Sequence, residues 1–420
     1  AMRDVLAGQD FLTTVVEQSA GASAARVTGP MIDFLPVGDP LLTIIALTDP
    51  AIRIVSLTIT EGGYCIDPAT GVFNPDHPAM VADAARPDAP QSVFGLIAAG
   101  LRARRSKGIP PFTVMSCDNI PHNGRVARDA VAGLARLWDK TFGDWIADNV
   151  AFPSGMVDRI TPATSDRERA MLRDQFGIED AFPVFCEDFT QWVLEDNFPA
   201  GRPALQEVGV QFVPDVTPYE YMKIRILNGG HAIIAYPAGL MDIHFVHEAM
   251  ENPLIDAFLT KLETDEVIPT VPAPPGMVLA DYYQTIRARF ANPKIGDTIR
   301  RLCFDGSNRQ PKFIIPTAAD RAAAGEDASG LALESALWCR YCAGTTDSGA
   351  VIAANDPDWD RLNRTALAAR NDPAQWLMMA DIYGDLGADP AFRAAFAKAL
   401  NSLWADGTAA VLKRYVDGTL

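Results

Sequence analysis

A strand, a helix and a second strand, too far apart for a hairpin, constrain this chain more than anything else in it. Ile52 to Thr60 (Ile-Arg-Ile-Val-Ser-Leu-Thr-Ile-Thr) is rich in β-branched residues and stops at Gly62-Gly63. Ser92 to Arg105 has apolar residues at helical spacing and a basic last turn. Phe112 to Ser116 reads as the next strand, and Phe11 to Glu17 as an earlier one. Strands joined through a helix pair in parallel. In such sheets, residues just past the C-terminal strand ends line the ligand crevice. That rule selects Glu61-Gly-Gly-Tyr64 and Cys117-Asp-Asn119.

Beyond about residue 150 the texture changes. Helical runs cover Arg167 to Phe176, Tyr219 to Ala235, Ile243 to Met250, Pro253 to Glu263, Ala280 to Phe290 and Pro293 to Cys303. Leu331 to Cys342, Pro357 to Asn371, Pro373 to Leu386 and Pro390 to Tyr415 follow. Prolines sit at several helix starts, where a missing N–H costs nothing. The expected architecture is an α/β parallel-sheet domain over residues 1–150 and a mostly α-helical domain over 151–420.

Composition narrows the partners. The 420 residues carry 53 acidic and 36 basic side chains, a formal net charge of −17. That field repels phosphate backbones and anionic lipid, which argues against nucleic acid and membrane surfaces. No apolar run reaches the roughly 18 residues of a spanning helix. Six unevenly spaced cysteines do not form a disulfide framework. The expectation is a soluble cytoplasmic protein with reduced thiols.

The densest chemistry lies in Lys223-Ile-Arg-Ile-Leu-Asn-Gly-Gly-His231. On a helix at about 100° per residue, Lys223, Asn228 and His231 fall within an arc of roughly 140°, and Glu220 lies inside it. An amine, a carboxamide and an imidazole on one face suit proton removal from an alcohol without a metal. A helical lysine is usually a solvated charge. Here the apolar neighbours Met222, Ile224, Ile226 and Leu227 argue for burial, which lowers a lysine pKa. Asn228-Gly229-Gly230 by itself favours a turn or helix end, and His231 by itself a satisfied core histidine.

Other groups carry weaker signals. Asn119, directly after a strand, is evenly an Asx turn or cap and a carboxamide donor. Asp158-Arg159 is explained as well by a structural ion pair as by substrate binding. Phe185-Cys-Glu-Asp-Phe189 reads as structure. His244 and His247 share a helical face without a third ligand, so no metal site is expected. Cys339 and Cys342 read as buried thiols on a helix. Neither a Gly-x-Ser-x-Gly elbow nor a Gly-x-Gly-x-x-Gly turn occurs.

Taken in order, several motifs resemble one family. They are Thr58-Ile-Thr-Glu-Gly-Gly-Tyr64, Ser116-Cys-Asp-Asn119, Met156-Val-Asp-Arg-Ile-Thr-Pro162, Gln191 to Phe198, Lys223 to His231 and Asp305 to Phe313. Together they resemble the long-chain polyol-specific dehydrogenases over essentially the whole chain. The resemblance implies a Rossmann-like first domain, no metal, NAD (NADP not excluded) and a small polyol or ketose substrate, most simply D-mannitol and D-fructose. It implies Lys223 as general base, Asn119 and Asn228 as oxyanion donors, His231 as the group orienting substrate hydroxyls, and Glu220 as proton relay. Asp158, Arg301 and Arg309 would contact substrate, and Thr60, Glu61 and Asn119 the nicotinamide end of the cofactor. A monomer or small homo-oligomer is expected.

The family's Gly-x-Gly-x-Phe-x-Arg-Ala-His turn is not found in this chain, which opens Ala1-Met-Arg-Asp-Val-Leu6. The expectation is therefore a first domain lacking its first βαβ unit: a fragment, or a protein that has lost its main cofactor anchor. Two alternatives accompany the polyol reading: fructuronate (hexuronate) reduction on the same scaffold, and a catalytically silent sugar-binding remnant.

Overall fold

Arg104, in the last turn of the helix Val93–Ser106, shows how the first domain is built. Its buried guanidinium donates to the carbonyls of Ile52 (2.9 Å) and Asp49 (2.9 Å) and lies over the Phe112 ring. One side chain thus ties the crossover helix to the entry of both strands it connects. The protein is described by a computed structural model over residues 2–36, 38–66 and 72–420.

The chain forms two compact units, Ala1–Thr217 and Pro218–Leu420. In the first, the strands are β1 (Thr13–Gln18), β2 (Ser23–Thr28), β3 (Ile54–Leu57), β4 (Thr113–Ser116), β5 (Gly155–Asp158), β6 (Val184–Glu187), β7 (Gln191–Glu195) and β8 (Gln211–Val213). β3 and β4 pair in parallel, Ile54 opposite Thr113 and Leu57 opposite Ser116, as the intervening helix requires. β1 pairs antiparallel with β2 and parallel with β6, and β7 joins antiparallel β5 to parallel β8. The main apolar cluster of this unit packs Phe94, Ile97 and Leu101 of the crossover helix against Leu57, Val114, Val131 and Leu134.

The boundary at Thr217 lies beyond residue 150, where the sequence texture turns helical. Residues 151–217 still contribute four strands, β5 to β8, each five residues or shorter. Strands that short give little periodic signal. The α/β-then-helical architecture is as read.

The second unit is helical throughout its described secondary structure. Leu331, Leu333, Ala336 and Leu337 of Ser329–Cys342 are wholly buried, and Cys339 and Cys342 are buried thiols on that helix. Three expected helices are broken, each with a positive-φ glycine at a break and one of them also at Met378-Met379. Pro293 to Cys303 becomes Pro293–Ile295 and Ile299–Leu302 around Gly296 (φ 62°). Pro373 to Leu386 becomes three short turns with Gly384 at φ 49°. Pro390 to Tyr415 divides at Gly407 (φ 76°) into Pro390–Asp406 and Thr408–Val416. No helix among the described residues is long and apolar enough to cross a membrane.

Gly124 opens the helix Asn123–Trp138 where it meets the loop before β5. A Cβ there would lie 2.4 Å from the Phe152 carbonyl oxygen and 2.7 Å from the Ser154 nitrogen, which are backbone atoms that cannot rotate away. Gly124→Ala should therefore destabilise the protein by about 1–3 kcal/mol, read as a lower urea midpoint.

Candidate active site

Lys223 stands at the start of an i→i+5 turn. The chain is helical from Thr217 to Leu240, but residues Lys223–Asn228 form a π-helix, and the Gly229 N–H reaches back to the Ile224 carbonyl. This corrects the uniform 100° spacing. In an i→i+5 turn the fifth residue comes back under the first, so Asn228 lies nearer the Lys223 face than an α-helix would put it. Gly229 is helical (φ −60°, ψ −46°) and the helix runs on, as the run Tyr219 to Ala235 implied and the tripeptide Asn228-Gly229-Gly230 by itself did not. Glu220, Lys223, Asn228 and His231 thus ride one continuous helix.

Burial follows the apolar neighbours. Met222, Ile226 and Leu227 are buried, Glu220 is buried, and Lys223 is only 7% exposed. Arg225 anchors the turn from behind, donating to the Thr270 carbonyl (3.1 Å) and the Asp320 carboxylate (2.5 Å).

His231 stacks on Phe290, ring centroids 4.2 Å apart. Its Nε2 is sealed from solvent with no hydrogen-bond partner among the described residues. Burial, then the positive charges of Arg301, Arg289, Arg309 and Lys223, hold its pKa well below the ordinary histidine value. The imidazole is therefore neutral and free to bond to a ligand hydroxyl. Behind it, a Cβ on Gly230 would lie 3.2 Å from Glu263 Oε1 and 3.3 Å from the Phe290 ring, so a larger residue would press on both side chains. Glu263 begins a second π-turn, Glu263–Val267. Its carboxyl is fully buried, has no hydrogen-bond partner at either oxygen among the described residues, and is pushed well above the usual carboxylate range by burial.

Arg301 and Arg309 come together in this unit. Arg309 donates to the Arg301 carbonyl (3.3 Å) and the Leu302 carbonyl (3.2 Å). The Arg301 guanidinium is already held in a two-pronged pair with Asp297, Nε to Oδ1 at 2.5 Å and Nη2 to Oδ2.

In the first unit, Thr60 and the one-turn helix Glu61–Tyr64 follow β3, while Asn119 follows β4. Asn119 is exposed, and the next helix starts at Asn123. Asn123 is the hub beneath it. Its Nδ2 donates to the carbonyls of Asp118 (3.0 Å) and Gly155 (2.8 Å), and its Oδ1 accepts the Gly155 N–H (3.0 Å). This fixes the start of β5, which ends at the buried Asp158. Arg159 is structural: it donates to the Glu187 carbonyl (3.0 Å) and the Glu17 carboxylate (2.8 Å), joining the segment to β6 and β1. Asp118, Tyr64, Asn123, Glu263 and Phe290 were not singled out by spacing. The strand-end rule came nearest, because it selected the two loops that hold Tyr64 and Asp118.

Comparison with known proteins bears on the whole chain. A model of the mannitol dehydrogenase Rossmann domain matches residues 1–207, and one of the mannitol dehydrogenase C-terminal domain matches residues 215–404. The mannitol 2-dehydrogenase of Cereibacter sphaeroides is 57% identical over 416 residues, 99% of this chain and 87% of that protein. That of Aspergillus oryzae is 40% identical over 424 residues, 99% of this chain and 84% of its own. Among solved structures, the ternary complex of Pseudomonas fluorescens mannitol 2-dehydrogenase with NAD and D-mannitol matches with a TM-score of 0.89 at 44% identity, covering 99% of this chain and 85% of that one. A substrate-free D-sorbitol dehydrogenase matches with a TM-score of 0.88 at 36% identity, covering 98% and 85%.

The Glu263 carboxyl holds its proton more tightly in the folded protein than in the unfolded chain. Its contribution to stability is therefore full below the ordinary carboxylate pKa and lost as pH rises. Glu263→Gln keeps the shape of the protonated acid and cannot ionise. It should match the parent near pH 4 and gain stability over it progressively toward pH 9, measured by urea midpoints across that range.

Proposed function

We propose that this chain, which belongs to the mannitol dehydrogenase family, is an NAD-dependent polyol 2-dehydrogenase that interconverts D-mannitol and D-fructose. One observation carries the chemistry: a buried amine, Lys223, shares a π-turn with Asn228 and a helix with Glu220 and His231. Identity of 57% to a mannitol 2-dehydrogenase supports the substrate. A cytoplasmic location and a monomer or small homo-oligomer complete the reading.

The residues of the first unit fit a nicotinamide cofactor. Two loops follow the C-terminal ends of adjacent parallel strands. A Cβ on Gly62 would meet nothing within 4 Å, so that turn offers bare backbone to an approaching ring. Thr60, Glu61 and Asn119 would hold the nicotinamide end. When bound, the cofactor supplies the hydride acceptor.

The chain's own residues do the proton and charge work. Lys223 acts in its unprotonated form, in which Nζ takes the proton of the C2 hydroxyl. The Asn119 and Asn228 carboxamides donate N–H groups to the oxygen as it gains alkoxide character. The neutral His231 imidazole orients neighbouring hydroxyls. Glu220 passes the proton from Lys223 toward solvent. Asp158 accepts a hydrogen bond from a substrate hydroxyl, and Arg309 with Arg301 donates at the other end of the polyol.

Hexuronate reduction fits less well. The relatives matched along the whole chain are mannitol 2-dehydrogenases, and of the two arginines a substrate carboxylate could use, Arg301 is already paired with Asp297, which leaves Arg309. Spectrophotometric comparison of D-mannitol with D-mannonate separates the two, and calorimetric titration with NADH tests for a silent remnant. Lys223→Ala should lower kcat by about 10²–10⁴ and leave the circular dichroism spectrum intact. Asn228→Ala should lower it by about 10²–10³. Near-parental turnover of Lys223→Ala between pH 6 and 10 would end the assignment of the base.

A further inference from the structure

Asp118 separates β4 from Asn119 and takes no part in the chemistry above, yet it accepts three hydrogen bonds from the other cofactor-side loop. Its Oδ2 accepts the Ile59 N–H (3.0 Å) and its Oδ1 the Thr60 N–H (3.0 Å). Tyr64 Oη donates to Oδ2 (2.7 Å) and pairs with Ser116 Oγ (2.5 Å). Tyr64 and Ser116 are buried, so the partly buried Asp118 carboxylate is anchored to the core on one side.

The loop it holds is strained. Thr60 lies at φ 63°, ψ 164°, a region that residues with a side chain rarely enter. Such a conformation persists only where its surroundings over-determine it, and here the Thr60 N–H is bonded to Asp118 itself.

We propose that Asp118 is a positioning residue for the dehydrogenase reaction. Its carboxylate clamps the strained Thr60 turn to the β4 end and so presents Thr60, Glu61 and Asn119 to the nicotinamide in one fixed arrangement. The inference rests on the reading of these loops as the cofactor's. Asparagine at 118 would turn an NH₂ toward one of the two backbone N–H donors, releasing the turn.

Asp118→Asn should weaken NADH by about tenfold or more in fluorescence titration and lower kcat, while the pH profile set by Lys223 keeps its shape. Tyr64→Phe removes one bond of the three and should give a smaller loss. The deciding arm is Thr60→Gly in the Asp118→Asn background. Glycine enters the positive-φ region without strain but also deletes a side chain assigned to the cofactor, so, measured against Thr60→Gly alone, adding Asp118→Asn should cost less NADH affinity than it does in the parent. Asp118→Asn with parental NADH affinity would overturn the proposal alone. So would a loss that Thr60→Gly leaves unmoved while melting falls in proportion, since that marks a general packing role. A parent protein that binds no NADH would instead remove the cofactor reading on which the proposal stands.

Discussion

An i→i+5 turn inside a buried helix is the constraint on which the second unit depends. A π-turn is rare because its backbone bonding is poorer than that of an α-helix, and it survives only where packing holds it. Here Met222, Ile226 and Leu227 bury its apolar side, and Arg225 ties it to Thr270 and Asp320. The second π-turn, Glu263–Val267, packs against it. Gly230 permits that contact, since a side chain there would press on Glu263 and Phe290. Relaxing the Lys223–Asn228 turn to α-helical register would rotate Lys223 relative to Asn228.

The same packing explains the electrostatics. Glu263 is kept neutral by burial, so it places no negative charge behind His231. The charges felt at His231 are cationic, and they reinforce burial in holding the imidazole neutral. A neutral imidazole both donates and accepts, which suits a polyol whose hydroxyls do the same.

Much of this was legible in the sequence, and the reason differs from element to element. The parallel pairing of β3 and β4 followed from strand, helix and strand in order, because a crossover leaves few other topologies. The burial of Lys223 followed from four apolar neighbours. The π-turn did not show, because periodicity over nine residues cannot separate an α-helix from one widened turn. The helix breaks at Gly296, Gly384 and Gly407 were missed because apolar spacing continues through them. The strands β5 to β8 were passed over because each is too short to show a period. Asp118 was invisible as a clamp for a related reason: its partners lie 54 to 59 residues away.

In both units, then, the residues assigned to chemistry stand on backbone that would not adopt its conformation alone. Thr60 sits at positive φ beside the first loop, His122 at φ 54° beside the second, and Lys223 in a π-turn. Thr60 is held by the partly buried Asp118, and the Lys223 turn by Arg225 through Thr270 and Asp320. Order in the site must therefore follow formation of the core, since no local sequence preference can supply it in advance. It also follows that sensitivity to substitution extends well past the groups touching substrate. A residue such as Asn123, which bonds only to backbone, controls where Asn119 and Asp158 stand as surely as the identity of those residues does.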